Sequence, residues 1–113
     1  IRMKGVLMGL SLSKIKSLED EIADFTELGE FINLPVRSYS SGMNMRLGFA
    51  VSTAIPSDIL LLDEWLSVGD ADFSKKAEMR LNKMMKKSEI VIIASHDQKF
   101  IKNTCNRFLN LKY

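Results

Sequence analysis

Two short, uninterrupted apolar runs constrain the fold of this chain more than any other feature. They are ILLL at residues 59–62 and IVIIA at residues 90–94, and polar or turn-forming residues lie at both ends of each run. Runs of this length with such ends favour strands that are buried on both faces, as in a parallel sheet. Parallel strands need a long crossover, and residues 73–86 have the apolar periodicity of a helix. The sequence therefore predicts an α/β fold with crossover helices.

Helical periodicity also marks the first half of the chain. Residues 13–28 are predicted to form a helix that Gly29 ends, and residues 42–55 are predicted to form a second helix that Ser40 or Ser41 caps. The apolar stripe of the first helix is Ile15, Leu18, Ile22 and Phe25. The apolar stripe of the second helix is Met43, Leu47, Ala50, Val51 and Ala54.

The last third of the chain continues the alternation of helix and strand. The crossover helix at residues 73–86 is expected to turn Phe73, Ala77, Leu81 and Met84 inward. Asp97 is expected to cap a last helix that continues to about Cys105, and residues 107–111 are expected to add a further strand.

The charge balance and the cysteine count exclude several classes of function. The 113 residues carry 16 basic and 14 acidic side chains, a net charge of +2. This balance gives no excess of positive charge of the kind that binds nucleic acid. The chain has one cysteine, Cys105, and one histidine, His96. Neither an internal disulfide nor a zinc cluster can therefore form, and a reducing cytoplasmic setting fits best. No apolar run approaches the roughly 18 residues of a membrane span.

Titratable residues come at the end of both apolar runs. Asp63 and Glu64 directly follow the first run, and His96 follows the second after one residue. Ligands of an open parallel sheet bind beyond the carboxyl ends of its strands, so we expect these three groups to converge on one edge. The carboxylates suit Mg²⁺ and an attacking water, and His96 suits a phosphate oxygen. Each could equally be an ordinary loop residue.

The triplet Ser40-Ser41-Gly42 lies at the start of the predicted helix at residues 42–55. The N–H groups of a first turn point outward, the helix dipole is positive there, and glycine lets a phosphate approach closely. The same triplet would also serve as a plain N-cap, so both interpretations stay open.

Four motifs in order resemble those of the ATP-binding subunits of ABC transporters. YSSGM at residues 39–43 is similar to their signature sequence, and ILLLDE at 59–64 to their Walker B strand. SVGD at 67–70 looks like the D-loop, and IIASHD at 92–97 looks like the switch-histidine segment. The order and the separations of four motifs make this resemblance specific.

Finer features are similar to the ATPases that export bacterial surface polysaccharides: O-antigen, capsule and teichoic acid. These features are YSSGM…RL.FA, LLLDE and VGDADF, and the resemblance covers essentially the whole chain. Where the family at large usually has Gly, Gln and Pro, this chain has Ser41, Met43 and Trp65. The resemblance implies part of a P-loop NTPase sheet, with residues 1–55 as the helical signature subdomain and residues 56–113 as the C-terminal part of the ATPase core.

The resemblance also implies a homodimer of ATPase subunits that enclose ATP head to tail. Ser40, Ser41 and Gly42 would contact the γ-phosphate of ATP held by the opposite subunit. Asp70 would act across the dimer interface and link the two sites. The expected partner is an integral-membrane permease, so the ATPase would be peripheral on the inner face of the bacterial plasma membrane.

The remaining roles that the resemblance implies belong to the sheet edge. Asp63 would help to hold Mg²⁺, Glu64 would be the catalytic carboxylate, and His96 would contact the γ-phosphate and sense its loss. The reaction of the complete protein would be ATP hydrolysis coupled to export of a polysaccharide or a lipid-linked glycan.

The Walker A loop of the family, G-x-x-x-x-G-K-[ST], does not occur among the 113 residues. We therefore expect the C-terminal half of an ATPase domain, a piece of a longer protein that does not hydrolyse ATP by itself. Strands that lack the rest of such a sheet would have unpaired edges and uncovered faces, which predicts self-association or marginal folding.

Two alternatives stay open at this point. The chain could be the C-terminal half of a chromosome-maintenance or DNA-repair ATPase head, which also pairs a signature turn with a Walker B strand. That alternative expects a long coiled coil before the signature and a basic surface, whereas the preceding helix is short and the charge is balanced. The chain could also be a non-catalytic, truncated remnant.

Overall fold

The computed structural model describes residues 1–63 and 71–111, which form an α/β fold. In chain order the helices are α1 (Arg2–Leu7), α2 (Leu12–Thr26), α3 (Ser41–Ser52), α4 (Ala71–Lys87) and α5 (Gln98–Thr104). The strands are β1 (Ile59–Asp63) and β2 (Ile90–Ala94), and two short 3₁₀ helices, Gly29–Asn33 and Val36–Ser38, lie between α2 and α3.

The two strands pair in parallel, and α4 is the crossover between them. The register runs from Ile59 beside Ile90 to Asp63 beside Ala94. This arrangement confirms the α/β layout, because both apolar runs are strands and the helical pattern between them is a helix. The carboxyl ends of β1 and β2 therefore lie at the same edge of the sheet.

One face of the sheet packs against α4, and the other is exposed. Leu60 of β1 is buried with Leu81 and Met84 of α4. On the opposite face four side chains are exposed by half or more: Ile59 56%, Leu61 69%, Ile90 51% and Ile92 57%. The prediction that both strands are buried on both faces is therefore wrong for the described residues. A continuous apolar run gives a strand two apolar faces, but among the described elements α4 packs on one of these faces and leaves the other exposed.

The first half of the chain is a helical unit built on α2 and α3. Its main buried cluster comprises Ile22, Leu28, Tyr39, Leu47, Ala50 and Val51, and Ile15 and Thr26 of α2 are also buried. Both predicted apolar stripes are confirmed, since every residue of the two stripes is buried or partly buried. The ends of α2 differ slightly from the predicted ends at residues 13 and 28. Ser11 caps α2, and Glu27, in the left-handed conformation at φ 57°, ends it before Gly29.

Two local predictions need correction. Residues 107–111 do not form a strand, and no described strand pairs with them. A strand needs a neighbour to satisfy its backbone groups, which local sequence cannot supply. In addition, α1 was not predicted. It packs closely enough on α2 that a Cβ at Gly5 would come within 2.7 Å of the Ile15 side chain.

Within residues 1–63 and 71–111, no helix is both long and apolar enough to cross a membrane.

Candidate active site

The start of α3 is built around the hydroxyl of Ser40. The N–H of Met43 donates to Ser40 Oγ at 3.1 Å, and the N–H of Asn44 donates to the Ser40 carbonyl at 3.0 Å. The backbone of Ser40 is extended, as an N-cap requires. Of the two serines that the sequence offered, the structure selects Ser40 as the cap. Ser40 and Ser41 are exposed, so this turn is open to solvent.

Gly42 leaves space beside this turn. A Cβ added there would meet nothing nearer than Ser40 Oγ, at 3.9 Å. The surface over the first turn is therefore not obstructed by the described part of the chain. Free N–H groups and the positive end of the dipole of the twelve-residue α3 make this turn suitable for a negatively charged oxygen.

Tyr39, which has no predicted role, anchors the start of α3 to the segment that precedes it. Its side chain is buried, and its hydroxyl donates to the Ile32 carbonyl at 2.8 Å. The Tyr39 N–H donates to the Val36 carbonyl at 2.9 Å. Tyr39, the residue directly before the cap, is thus held against the two 3₁₀ helices. A large aromatic residue directly before an N-cap was the available signal.

The sheet edge carries the second group of predicted site residues. Asp63 is exposed at the end of β1 and pairs in register with Ala94, two residues before His96. Asp63, Ser95 and His96 line one groove, which continues along β2 and past the residues that follow α5. The structure therefore brings Asp63 and His96 to a common edge, as expected from parallel strands. Glu64 and Asp70 lie outside the described residues.

The loop after β2 is held by local hydrogen bonds. The N–H of Asp97 donates to Ser95 Oγ at 3.0 Å, and the N–H of Phe100 donates to Asp97 Oδ1 at 3.0 Å. The second bond confirms Asp97 as the N-cap of α5. These bonds fix the backbone on both sides of His96, whose side chain is exposed.

The described residues supply few metal ligands. Over the ranges 1–63 and 71–111, no group of three or more His, Cys, Asp or Glu side chains could hold a metal ion. Asp63 could contribute a carboxylate oxygen at the sheet edge. This is compatible with Mg²⁺, which usually keeps several waters and binds one or two carboxylates together with substrate phosphates.

The turn at Ser40 and the sheet edge are separate parts of the surface. Ser40, Ser41 and Gly42 do not line the groove that Asp63 and His96 share. The structure therefore offers an anion-accepting helix start and a carboxylate–histidine edge, which do not form one pocket within the described chain.

Comparison with known proteins identifies relatives that are all named as ATP-binding proteins of export systems. The chain is 49% identical over 108 residues to the O-antigen export system ATP-binding protein RfbE of Yersinia enterocolitica. It is 43% identical over 113 residues to the teichoic acids export ATP-binding protein TagH of Bacillus anthracis. It is 41% identical over 106 residues to the O-antigen export system ATP-binding protein RfbB of Myxococcus xanthus. No family model matches the chain.

The alignments cover nearly all of this chain but a minor part of each relative. They span 96%, 100% and 94% of the chain, and 45%, 21% and 24% of RfbE, TagH and RfbB respectively. The chain thus matches less than half the length of these relatives. Identity at this level over essentially every residue establishes common descent. The chain is therefore homologous to a segment of the ATP-binding proteins of ABC transporters, in the group that contains the O-antigen and teichoic acid exporters.

Proposed function

We propose that this chain is the segment of an exporter ATPase that carries the signature turn, Ser40-Ser41-Gly42 at the start of the signature helix α3, and the catalytic edge of the sheet with Asp63, Glu64 and His96. The observation that carries this proposal is the parallel register of β1 and β2, which places Asp63 and the residues before His96 at one edge. The activity of the complete protein would be ATP hydrolysis coupled to export of a polysaccharide or a lipid-linked glycan. The relatives, which are named as O-antigen and teichoic acids export proteins, support this class of cargo.

In this proposal the start of α3 binds phosphate. Ser40 Oγ accepts from the Met43 N–H, Ser41 is exposed, and the N–H groups of Ser41 and Gly42 have no acceptor within the helix. These groups would contact the γ-phosphate of ATP held by a second ATPase subunit. Gly42 would let that phosphate approach the backbone closely, because among the described residues a Cβ there would meet only Ser40 Oγ, at 3.9 Å.

The sheet edge would handle water and the metal. Mg²⁺, when bound together with ATP, neutralises charge on the transferring phosphoryl group. Asp63 would hold Mg²⁺ directly or through water, Glu64 would orient and deprotonate the attacking water, and His96 would contact the γ-phosphate. Asp70 would link the two sites across the dimer interface.

The wider assembly is part of the same proposal. It comprises a homodimer of P-loop ATPase subunits and a membrane-spanning permease, with the ATPase at the inner face of the bacterial plasma membrane. Residues 1–55 would be the helical signature subdomain and residues 56–113 the C-terminal part of the ATPase core. The phosphate cradle would come from a Walker A loop, which the 113 residues do not contain.

The first test is ATP turnover by the native polypeptide that contains these residues, purified from its own cell. We expect Glu64→Gln to lower steady-state phosphate release by about 10²- to 10⁴-fold, the usual contribution of general base catalysis. By contrast, the 113-residue chain alone should release no more phosphate than its own Glu64→Gln variant, because it lacks the phosphate cradle.

Glu89 provides a matched control. It is an exposed glutamate directly before β2, at the opposite end of that strand from His96. Glu89→Gln should therefore leave the turnover unchanged. Equal turnover of Glu64→Gln and the unmutated native polypeptide would refute the proposed role of Glu64. A native polypeptide that releases no phosphate at all would refute the proposed ATPase.

The two serines of the signature turn can be separated experimentally. Ser40→Ala should lower the free energy of unfolding by about 1 kcal/mol, because the Met43 N–H loses its cap, whereas Ser41→Ala should change it by only a few tenths of a kcal/mol. Both substitutions should lower ATP turnover of the native polypeptide, since both remove a hydroxyl from the proposed phosphate site. Chemical denaturation of the chain and phosphate release measure the two effects. A loss of turnover for Ser40→Ala alone would mean that the turn contributes its fold and not its hydroxyls.

A further inference from the structure

The C-terminal end of α3 is capped by a side chain from another helix. The last carbonyls of a helix have no partners within it, and cations are favoured there. Arg80 of α4 fills this role. Its Nε donates to the Thr53 carbonyl at 3.1 Å, and its Nη2 lies 3.4 Å from the Ala50 carbonyl. The end of the signature helix is therefore held from outside by a charged donor.

The same guanidinium also binds α2. Arg80 Nη1 and Nη2 donate to the two carboxylate oxygens of Glu21, at 2.8 and 3.4 Å. The guanidinium carbon lies 4.1 Å from the centroid of the Phe25 ring. The Arg80 side chain is 14% exposed, so these contacts are largely sheltered from water. A planar fork with five donors can make all of them at once, whereas an ammonium cannot.

Arg80 lies between two packing regions of α4. In the first half of the helix, Phe73 and Ala77 pack against Phe25 of α2 and Phe49 of α3. In the second half, Leu81 and Met84 pack on the sheet. Helix α4 therefore contacts both the helical unit and the sheet, and Arg80 joins it to α2 and to the end of α3.

We propose that Arg80 is a positioning residue that fixes the orientation of the signature helix relative to the sheet. It holds the C-terminal end of α3 against α4, while Ser40 and Gly42 lie at the other end of α3. The sheet edge with Asp63 and His96 is held by the second half of α4. The helical unit and α4 would thus be coupled through Arg80. This inference rests on the proposed function where it assigns phosphate binding to the turn.

Hydrogen exchange of backbone amides tests this inference on the chain as it stands, without nucleotide. Arg80→Met keeps much of the apolar stem and removes the donors, and Lys83→Met removes an exposed cation from the same helix. We expect Arg80→Met to speed the exchange of α3 amides by about tenfold or more, as for a lost charged hydrogen bond. The amides of β1 and β2 should keep their rates, and Lys83→Met should change neither set.

Two outcomes would overturn the inference. If the α3 amides keep their rates in Arg80→Met, Arg80 does not hold the helix. If the amides of α3, β1 and β2 all accelerate equally, Arg80 contributes to global stability and does not position α3. The proposed ATPase is judged separately by phosphate release, so a failure of one proposal does not imply a failure of the other.

A second readout uses the native polypeptide. Arg80→Lys retains the charge but not the fork, so the signature turn should be misplaced while the ATP-cradling half is untouched. We expect kcat to fall by about tenfold with little change in KM for ATP. A KM that rises while kcat stays constant would argue against positioning.

Discussion

Replacing Phe73 with alanine is expected to lower the free energy of unfolding by about 3 to 5 kcal/mol, the usual cost of removing a buried aromatic ring. Phe73 is 0% exposed. Its ring meets those of Phe25 and Phe49 edge to face, with centroids 5.6 and 6.3 Å away. The Arg46 guanidinium lies over the ring at 4.7 Å from its centroid.

The effect should be large because Phe73 packs two structural units together. Domains of ordinary size are stable by only about 5 to 15 kcal/mol, so this loss removes much of the total. Chemical denaturation followed by circular dichroism measures it. Phe108, whose side chain is 60% exposed, supplies a matched control. Phe108→Ala should change the stability by less than about 0.5 kcal/mol.

A variant that fails to fold would still leave the prediction testable. Phe73→Leu keeps most of the apolar volume and should lose clearly less stability than Phe73→Ala, so that the two variants bracket the contribution of the ring. A loss below about 1 kcal/mol for Phe73→Ala would contradict close packing around this ring, since a cavity of this size in a close-packed core lowers stability by more than that.

The exposed face of the sheet predicts concentration-dependent self-association of the 113-residue chain. Leu61 and Ile92 are 69% and 57% exposed on that face, beside Ile59 and Ile90. Burying two such side chains between copies of the chain is favourable by about 1 kcal/mol or more each. Replacing both Leu61 and Ile92 with glutamine should therefore weaken the association by about tenfold or more, which sedimentation velocity over a concentration series measures.

The control substitutions lie on other surfaces. Met79 of α4 and Leu12 of α2 are 63% and 64% exposed, and neither belongs to the sheet. Replacing both with glutamine removes comparable apolar area and should leave the association unchanged. A monomeric, unmutated chain at all concentrations would show that the sheet face does not associate. Equal effects of the two double variants would show that the association is non-specific.

Local sequence predicted the elements with strong periodicity. The five-residue strands β1 and β2 were identified from apolar runs with polar ends, and α4 from the spacing of Phe73, Ala77, Leu81 and Met84. A cap at Ser40 or Ser41 and a cap at Asp97 were also predicted, because a short polar side chain that bonds nearby backbone needs no distant partner, and the structure has them at Ser40 and Asp97. These features depend on neighbours within a few residues.

Local sequence failed where an outcome depends on distant partners. Residues 107–111 look like a strand but pair with no described strand. The strand pattern also suggested burial on both faces, yet coverage depends on which other segments reach the sheet. Tyr39 received no role, because its hydroxyl bonds the Ile32 carbonyl, which a preceding 3₁₀ helix positions.

The amino-acid sequence by itself determined the order of α2, α3, β1, α4, β2 and α5, the resemblance to exporter ATPases and the residues proposed for their chemistry. Periodicity and motif spacing are local properties, and the chain carries them before it folds. Only the tertiary structure decided that Arg80 bonds residues separated from it by 59 and 27 positions, Glu21 and Thr53. Such contacts follow from how α2, α3 and α4 pack, and the packing free energy belongs to the assembled core rather than to any one segment.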